Sequence, residues 1–562
     1  MKKFAVFAAL LVALLSCSGC SFTGSTASEG SQAAASSETT ASETTVSETT
    51  TVETVAAASE MFTDRDMEIG YDEETSARIT LSGSSASSDS DAVQISGSTV
   101  TITDEGTYLL SGTLDDGMIV VNAEDTDKVQ LVLDGVGITS STSVAIYVLE
   151  ADKVFITTTS GSENTLANGG EYVAIDDNNI DAVIFAKSDL TLNGAGNLTI
   201  SAAAGHGIVS KDDLVLTSGS YDITAANQGL SGKDSIRIAN GSYTITSGKD
   251  GIHAENTDDT SLGFLYVSGG TFDIAAEGDG MSASAYLQIE DGTFTITTGE
   301  GSASVTMETD TMGFRQRGGF QTETTETETV DMVSQKGVKA DGAITIAGGS
   351  FVTNTVDDSV HAGGDILITG GEFELRSGDD AVHSDAAVTI QNGTFTIAYC
   401  YEGLEGLSIT IDGGTFDITS VDDGINAAGG ADSSGFGGGR PGQDQFSANS
   451  DSFIIINGGD LVIVSTGDCI DSNGSLTING GTVNLTCNGN GDTALDCDST
   501  YTNNGGDVTT NDGSENNPGQ MGGGMGGTGK PGRGGQGNMG IPGETGEMPE
   551  TPPTGTPSSE TA

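Results

Sequence analysis

Apolar and polar residues alternate with a period of two along most of this chain, and glycine-containing corners interrupt the alternation at regular intervals. The plan is plainest from residue 357 onward. DDSVHAGGDILITGGEFELRSG is followed by DDAVHSDAAVTIQNGTFTIAYC, then YEGLEGLSITIDGGTFDITSV, then DDGINA. Ile366 and Ile368 precede Gly370-Gly371, and Phe373 and Leu375 follow it. One copy later Val388 and Ile390, Asn392-Gly393, and Phe395 and Ile397 repeat the arrangement. Period-two alternation predicts strands, and the Gly-Gly or Asn-Gly pairs supply the positive φ of a tight corner. Copies recur about every 22 residues with no helical pattern inside them, which predicts an all-β solenoid of stacked coils.

Gly229, Gly251, Gly280, Gly337, Ser359, Ala381, Gly403, Gly424 and Cys469 occupy equivalent places in this beat, which is clear from residue 205. Between residues 79 and 205 the alternation persists but the period blurs, as expected of irregular first coils and a cap. Strands are predicted from about residue 79 to about residue 510, within one repeat domain spanning 61–512. Two insertions interrupt it, 302–334 with GFRQRGGFQTETTETETV and 429–451 with GGADSSGFGGGRPGQDQF. The remainder makes roughly 16–17 coils and a rod of about 80 Å. Its core is expected in columns. One holds Tyr221, Tyr243, Phe272, Phe294, Phe351, Phe373, Phe395 and Phe416; another holds Val360, Val382, Leu404 and Ile425.

The ends have a different composition. Met1-Lys2-Lys3 and the apolar FAVFAALLVALLS read as an export signal over residues 1–20, too short to span a membrane. Small residues before Cys20 resemble a lipoprotein processing box, with Cys17 as the alternative lipidation site. Residues 21–60 are rich in Ser, Thr and Glu, and 513–562 in Gly and Pro. Neither segment buries enough apolar surface to offset its ordering entropy, so a disordered tether and a disordered tail are expected. The implied location is extracellular, at the cell surface, held to the bacterial membrane only through the lipid.

Charge then narrows the partners. A net charge of −62 excludes nucleic acid, whose phosphates require clustered Lys and Arg. Much of the acid sits in the glycine-rich corners. Asp358, Asp380, Glu402 and Asp423 open successive copies, preceded along the chain by Asp250 and Asp279 and followed by Asp468; Asp357, Asp379 and Asp422 form a second row beside them. Three positions on run His253, Ser282, Lys339, His361, His383, Glu405, Asn426 and Asp471. Stacked strands put equivalent residues about 4.7–4.9 Å apart. Two carboxylates at that distance repel by roughly 3–4 kcal/mol at an effective dielectric near 20. Such a column must hold protons or cations. Hard oxygen donors in this number, outside the cell, point to calcium held by Asp250, Asp279, Asp357, Asp358, Asp379, Asp380, Glu402, Asp422, Asp423, Asp468 and Asp471. The plain alternative is that Asp-Gly merely makes solvated turns.

His206, His253, His361 and His383 all lie in these corners, where they either bind a transition metal or hydrogen-bond the flanking carboxylates. Lys336 and Lys339 stand in the acid columns, and Lys336 is placed to pair with Asp358 or Asp380. Past the signal, Cys400, Cys469, Cys487 and Cys497 allow either disulfide staples or buried thiols.

GTYLLSGTLDDGMIVVNAEDTDKVQLVLDGVGIT, SDLTLNGAGNLTI, HGIVSKDDLVLTSG and the later DDAVHSD corner resemble a bacterial family of carbohydrate-binding domain-containing proteins, over roughly residues 79–510. That resemblance implies a right-handed parallel β-helix like that of polysaccharide lyases, calcium at acidic turns, and binding of cellulose and pectic acid. A monomeric calcium-dependent polysaccharide-binding protein is therefore expected. The alternatives are a pectate-lyase-like enzyme with Lys336 or Lys339 as base, and a structural adhesin. The chain has no Trp, which weakens a flat platform for cellulose, leaving Tyr286, Tyr399 and Tyr401 as candidate contacts.

Overall fold

Strands follow one another from Ala77–Gly83 to Asp507–Thr510, and almost every one pairs in parallel with the strand at the same place in the following copy. The structure is a computed structural model that describes residues 60–307, 333–428, 451–489 and 491–518. The export signal, the tether to residue 59, most of both insertions and the tail from residue 519 lie outside the described residues.

Val338–Ala340, Ile344–Ile346 and Ser350–Asn354 pair with Val360–Ala362, Ile366–Ile368 and Glu372–Arg376. These in turn pair with Val382–Ile390, which serves the first two ladders, and with Thr394–Tyr399. The result is an all-β, solenoid-like fold built from three parallel ladders. Along Glu372–Arg376 exposed and buried residues alternate, so Phe373 and Leu375 face inward while Glu372, Glu374 and Arg376 face solvent. The corner before this strand turns at Gly371, with φ of 121°, and its counterpart turns at Gly393, with φ of 142°. A side chain is strained at such values.

In-register pairing stacks like on like. Tyr221, Tyr243, Phe272, Phe294, Phe351, Phe373, Phe395 and Phe416 form one file, with neighbouring ring centroids 4.5 to 5.2 Å apart and planes within 8°. The strand spacing imposes that separation. All eight rings are buried, so they are core and not a sugar platform. Val360, Val382, Leu404 and Ile425 stack in the next file. Tyr286 packs on Phe264 with centroids 4.9 Å apart. The four cysteines are free, buried thiols, so of the two readings the structure takes the second.

The blurred early period has a local cause. Ala77–Gly83 folds back antiparallel on Ser85–Ser88, and Val93–Ser96 on Thr99–Ile102. The long strand Lys128–Ser140 shifts register against Gly106–Leu114. Hairpins and shifts disturb the spacing, yet these strands join the same core as the regular copies.

One contact has no counterpart in the repeat. Thr63 caps a short helix, Asp64–Met67, laid across the outside of successive strands. Asp66 is buried there. Its Oδ1 lies 2.7 Å from Lys153 Nζ and accepts a hydrogen bond from Thr191 Oγ1 at 2.7 Å. The Asp66 carbonyl accepts from Asn193 Nδ2 and Thr217 Oγ1. Arg237 donates to the Met61 carbonyl, and Phe62 meets Tyr266 with centroids 5.9 Å apart. Burial opposes the charge of Asp66, but hydrogen bonds from Lys153, Thr191 and Thr63 outweigh it and hold the carboxyl down to about 2.

Phe373→Ala should destabilise the protein by about 3–5 kcal/mol, read by urea unfolding. Because coils contact mainly their neighbours, amide-exchange protection should fall first in the strands that carry Phe351 and Phe395.

Candidate metal centre

The acidic corners sit just before the first strand of each copy, and that ladder sets their register. His253, Ser282, Lys339, His361, His383, Glu405, Asn426 and Asp471 are paired in that order, one per copy. Three residues ahead of each stand Asp250, Asp279, Lys336, Asp358, Asp380, Glu402, Asp423 and Asp468.

The opening carboxylates have a backbone partner that residue types alone do not reveal. The amide of Asp279 donates to Asp250 Oδ1 at 2.9 Å, and that of Lys336 to Asp279 Oδ1 at 2.8 Å. The amides of Asp380 and Glu402 donate to Asp358 Oδ1 and Asp380 Oδ1, each at 3.0 Å. The amide of Asp468 donates to Asp423 Oδ1 at 2.6 Å, and Asp468 Oδ1 accepts from the amide of Thr493. One oxygen of each opening aspartate therefore closes a turn of the neighbouring coil. Hydrogen bonds to a charged acceptor are about twice as strong as neutral ones.

The second oxygen distinguishes the copies. Asp250 Oδ2 lies 2.6 Å from His253 Nδ1, and Asp279 Oδ2 lies 3.6 Å from Lys339 Nζ. Asp358 Oδ2 lies 2.5 Å from Lys336 Nζ and 2.8 Å from His361 Nδ1. The same ammonium is 2.8 Å from Asp357 Oδ1. Burial opposes the charge on Lys336, yet Asp358 and Asp357 raise its pKa well above the usual lysine value. Burial likewise opposes the charge on Asp358, and Lys336 with the two histidines holds it well below the carboxylate range. Asp357, Asp358 and Asp379 bring donor atoms within 4.8 Å of one another, but Lys336 already meets two of the three. The expected pairing of Lys336 with Asp358 is present, and Asp357 joins it.

In the next copy Asp380 Oδ2 and Glu405 Oε2 lie 3.0 and 2.7 Å from His383 Nδ1. All four histidines stand beside carboxylates; His206 is 3.7 Å from Asp181.

From Glu402 onward the compensation ends. Among the described residues no Lys, Arg or His contacts Glu402, Asp423, Asp468 or Asp471. Burial first, and then Glu405 and Asp380, raise Glu402 well above its usual range; burial, Asp471 and Asp468 do the same for Asp423. Asp468 is pushed up to about 8 and Asp471 to about 7, in each case by burial first and by neighbouring acids including Asp496. Asp468, Asp471 and Asp496 bring one oxygen each within 4.8 Å. Asn426 Nδ2 donates to Glu402 Oε1 at 3.1 Å, while the buried Asn426 Oδ1 and Glu402 Oε2 accept nothing. This donor set is all oxygen and fits a hard divalent cation. Asp496 was absent from the sequence-derived set because it lies past the last clear copy.

The sequence-derived acids therefore fall into distinct groups. Asp250, Asp279, Asp357 and Asp358 face Lys or His. Asp380 faces His383. Glu402 faces the Asn426 amide and other acids, and Asp423, Asp468 and Asp471 face other acids. Asp379 and Asp422 stand in the second row, joined by backbone hydrogen bonds through the intervening Tyr401.

The family described as carbohydrate-binding domain-containing protein has a model that matches residues 96–381. The chain belongs to that family. A carbohydrate-binding domain-containing protein of Acetivibrio thermocellus is 36% identical over 155 residues, which is 27% of this chain and 54% of that one. The chain thus spans about half the length of this relative. A solved structure, a polysaccharide lyase-like protein from C. thermocellum studied as a gadolinium derivative, is 35% identical. It covers 40% of this chain and 91% of its own, with a TM-score of 0.39.

Lys336→Met leaves two carboxylates without their ammonium and should cost about 3–5 kcal/mol in urea unfolding. Adding Asp357→Asn and Asp358→Asn to it should recover most of that loss.

The acid-only group predicts a pH dependence. Asp468 and Asp471 hold their protons to about 8 and about 7, against about 3.9 in an unfolded chain. Between these limits the folded state binds more protons than the unfolded one. Stability of chelator-treated protein should therefore fall as pH rises from about 4 toward 8. Thermal melts across that range test it, and Asp471→Asn should flatten the slope.

Proposed function

We propose that this chain is a calcium-dependent polysaccharide-binding protein of the bacterial cell surface. In this reading the ladders form a right-handed parallel β-helix with about 22 residues per coil. An export signal and a lipid on Cys20 hold the protein, as a monomer, to the membrane. The observation that carries the reading is the convergence of Asp468, Asp471 and Asp496 without a cationic partner among the described residues.

Charge explains why such a group suits an acidic polysaccharide. With a net charge of −62 the protein repels a polyuronate. Calcium held at this group supplies positive charge that a uronate carboxylate can also ligate. Asp468, Asp471 and Asp496 hold it in place, Asp423 adds negative charge beside them, and Asn426 and Glu402 offer further oxygens in the preceding copies. Pectic acid is favoured over cellulose because the regular file of rings is buried and Tyr286 already packs on Phe264.

The lyase alternative asks a lysine to take a proton. Lys336 is 8% exposed, and two carboxylates keep its ammonium charged, which is the wrong state for a base.

Retention on immobilised polygalacturonate should require calcium, be reversed by EGTA, and fall at least about tenfold in affinity in Asp468→Asn and Asp471→Asn variants. Retention that survives chelation, or none in calcium, overturns the proposal. Ultraviolet absorbance should show no unsaturated product during the incubation; its appearance would establish the lyase instead.

A further inference from the structure

Two carboxylate oxygens converge on one ring nitrogen where the corners of Asp380 and Glu402 meet. His383 and Glu405 are paired partners in adjacent coils, and Asp380 opens the corner three residues before His383. His383 Nδ1 lies 3.0 Å from Asp380 Oδ2 and 2.7 Å from Glu405 Oε2. An imidazole nitrogen carries at most one hydrogen, so it satisfies one of the two oxygens. Hydrogen-bond geometry is met with Asp380, and Glu405 Oε2 is left without a hydrogen bond although Glu405 is 8% exposed. A buried acceptor of this kind is costly unless a further positive group meets it.

We propose that Asp380, His383 and Glu405 form a separate metal site for a divalent transition ion of the zinc class. Tetrahedral ligands at about 2.0–2.2 Å from a shared ion stand about 3.3–3.6 Å from each other. Here the ring nitrogen is 3.0 and 2.7 Å from the two oxygens and all three donor atoms lie within 4.8 Å, so small side-chain shifts admit the ion. Two carboxylates and a neutral imidazole balance a divalent charge. An imidazole donor suits zinc, nickel or copper, whereas calcium takes oxygen.

The surroundings hold these atoms in position. Asp380 Oδ1 is engaged by the Glu402 amide at 3.0 Å, which fixes Oδ2 toward His383. Asp385 Oδ1 lies 3.4 Å from His383 Nε2, on the side of the ring where a metal-bound histidine keeps its proton against a carboxylate. The ring stacks on His361, with centroids 4.9 Å apart and planes 22° from parallel. His361 itself faces Asp358, whose Oδ2 Lys336 already occupies, so the preceding copy has a cation from within the chain.

This site differs in donors and in residues from the oxygen-only group at Asp468, and it stands whether or not that group binds calcium. The full chain, stripped with chelator and dialysed, is titrated with Co2+ as the probe. One equivalent should bind with visible d–d bands, Zn2+ should displace it, and excess Ca2+ should not. Glu405→Gln and His383→Gln should abolish the bands. Asp385→Asn should weaken binding about 10–100-fold, as loss of an outer partner does. Asp471→Asn should leave the bands unchanged. Glu405→Gln swaps only an oxygen for an amide nitrogen and keeps the test usable if His383→Gln does not fold. Absence of the bands, displacement of Co2+ by Ca2+, or unaltered bands in folded Glu405→Gln overturns the proposal.

Discussion

Each opening aspartate accepts the backbone amide of the residue that opens the next coil, as Asp358 does for Asp380 and Asp380 for Glu402. A parallel stack places identical residues above one another at the spacing of strands, and for acids that is a repulsive arrangement. The amide relieves part of the repulsion by spreading charge from one oxygen into the backbone. It also orients the acid: with Oδ1 engaged, Oδ2 turns to whatever stands three residues on. Where an acid opens the coil, the chemistry of the column is therefore decided by the residue on the first strand.

That single variable runs through a sequence of solutions. His253, Lys339 and His361 give their acids a cationic or proton-donating neighbour. His383 faces two acids at once. Beyond it Glu405, Asn426 and Asp471 present no cation, and Glu402, Asp423, Asp468 and Asp471 are displaced upward in pKa because nothing positive offsets their burial. Lys336 shows the internal form of the same answer, an ammonium on a tether where another copy would need an ion from solution.

Much of this architecture was legible in the residues because repetition and register are the same fact. The aromatic file from Tyr221 to Phe416 and the row from His253 to Asp471 follow directly from counting between glycine corners. Where the count failed, the cause was local: antiparallel hairpins near Ser85–Ser88 and Thr99–Ile102 add residues that no coil period accommodates. The carboxylate–amide bonds were invisible because one partner is backbone, common to every residue. Asp66 was invisible for the opposite reason. Its partners Lys153, Thr191, Asn193 and Thr217 are far along the chain, and nothing in the short segment around it repeats.

The segment from Met61 to Glu68 works as a clasp. It lies crosswise over strands that otherwise hold only their immediate neighbours, and it ties them through buried polar contacts of its own. A solenoid under tension tends to peel from an end, one coil at a time. The clasp's contacts fall on the coils that carry Lys153, Thr191, Thr217 and Arg237, well inside the first strand, and bind them into one unit that opens together.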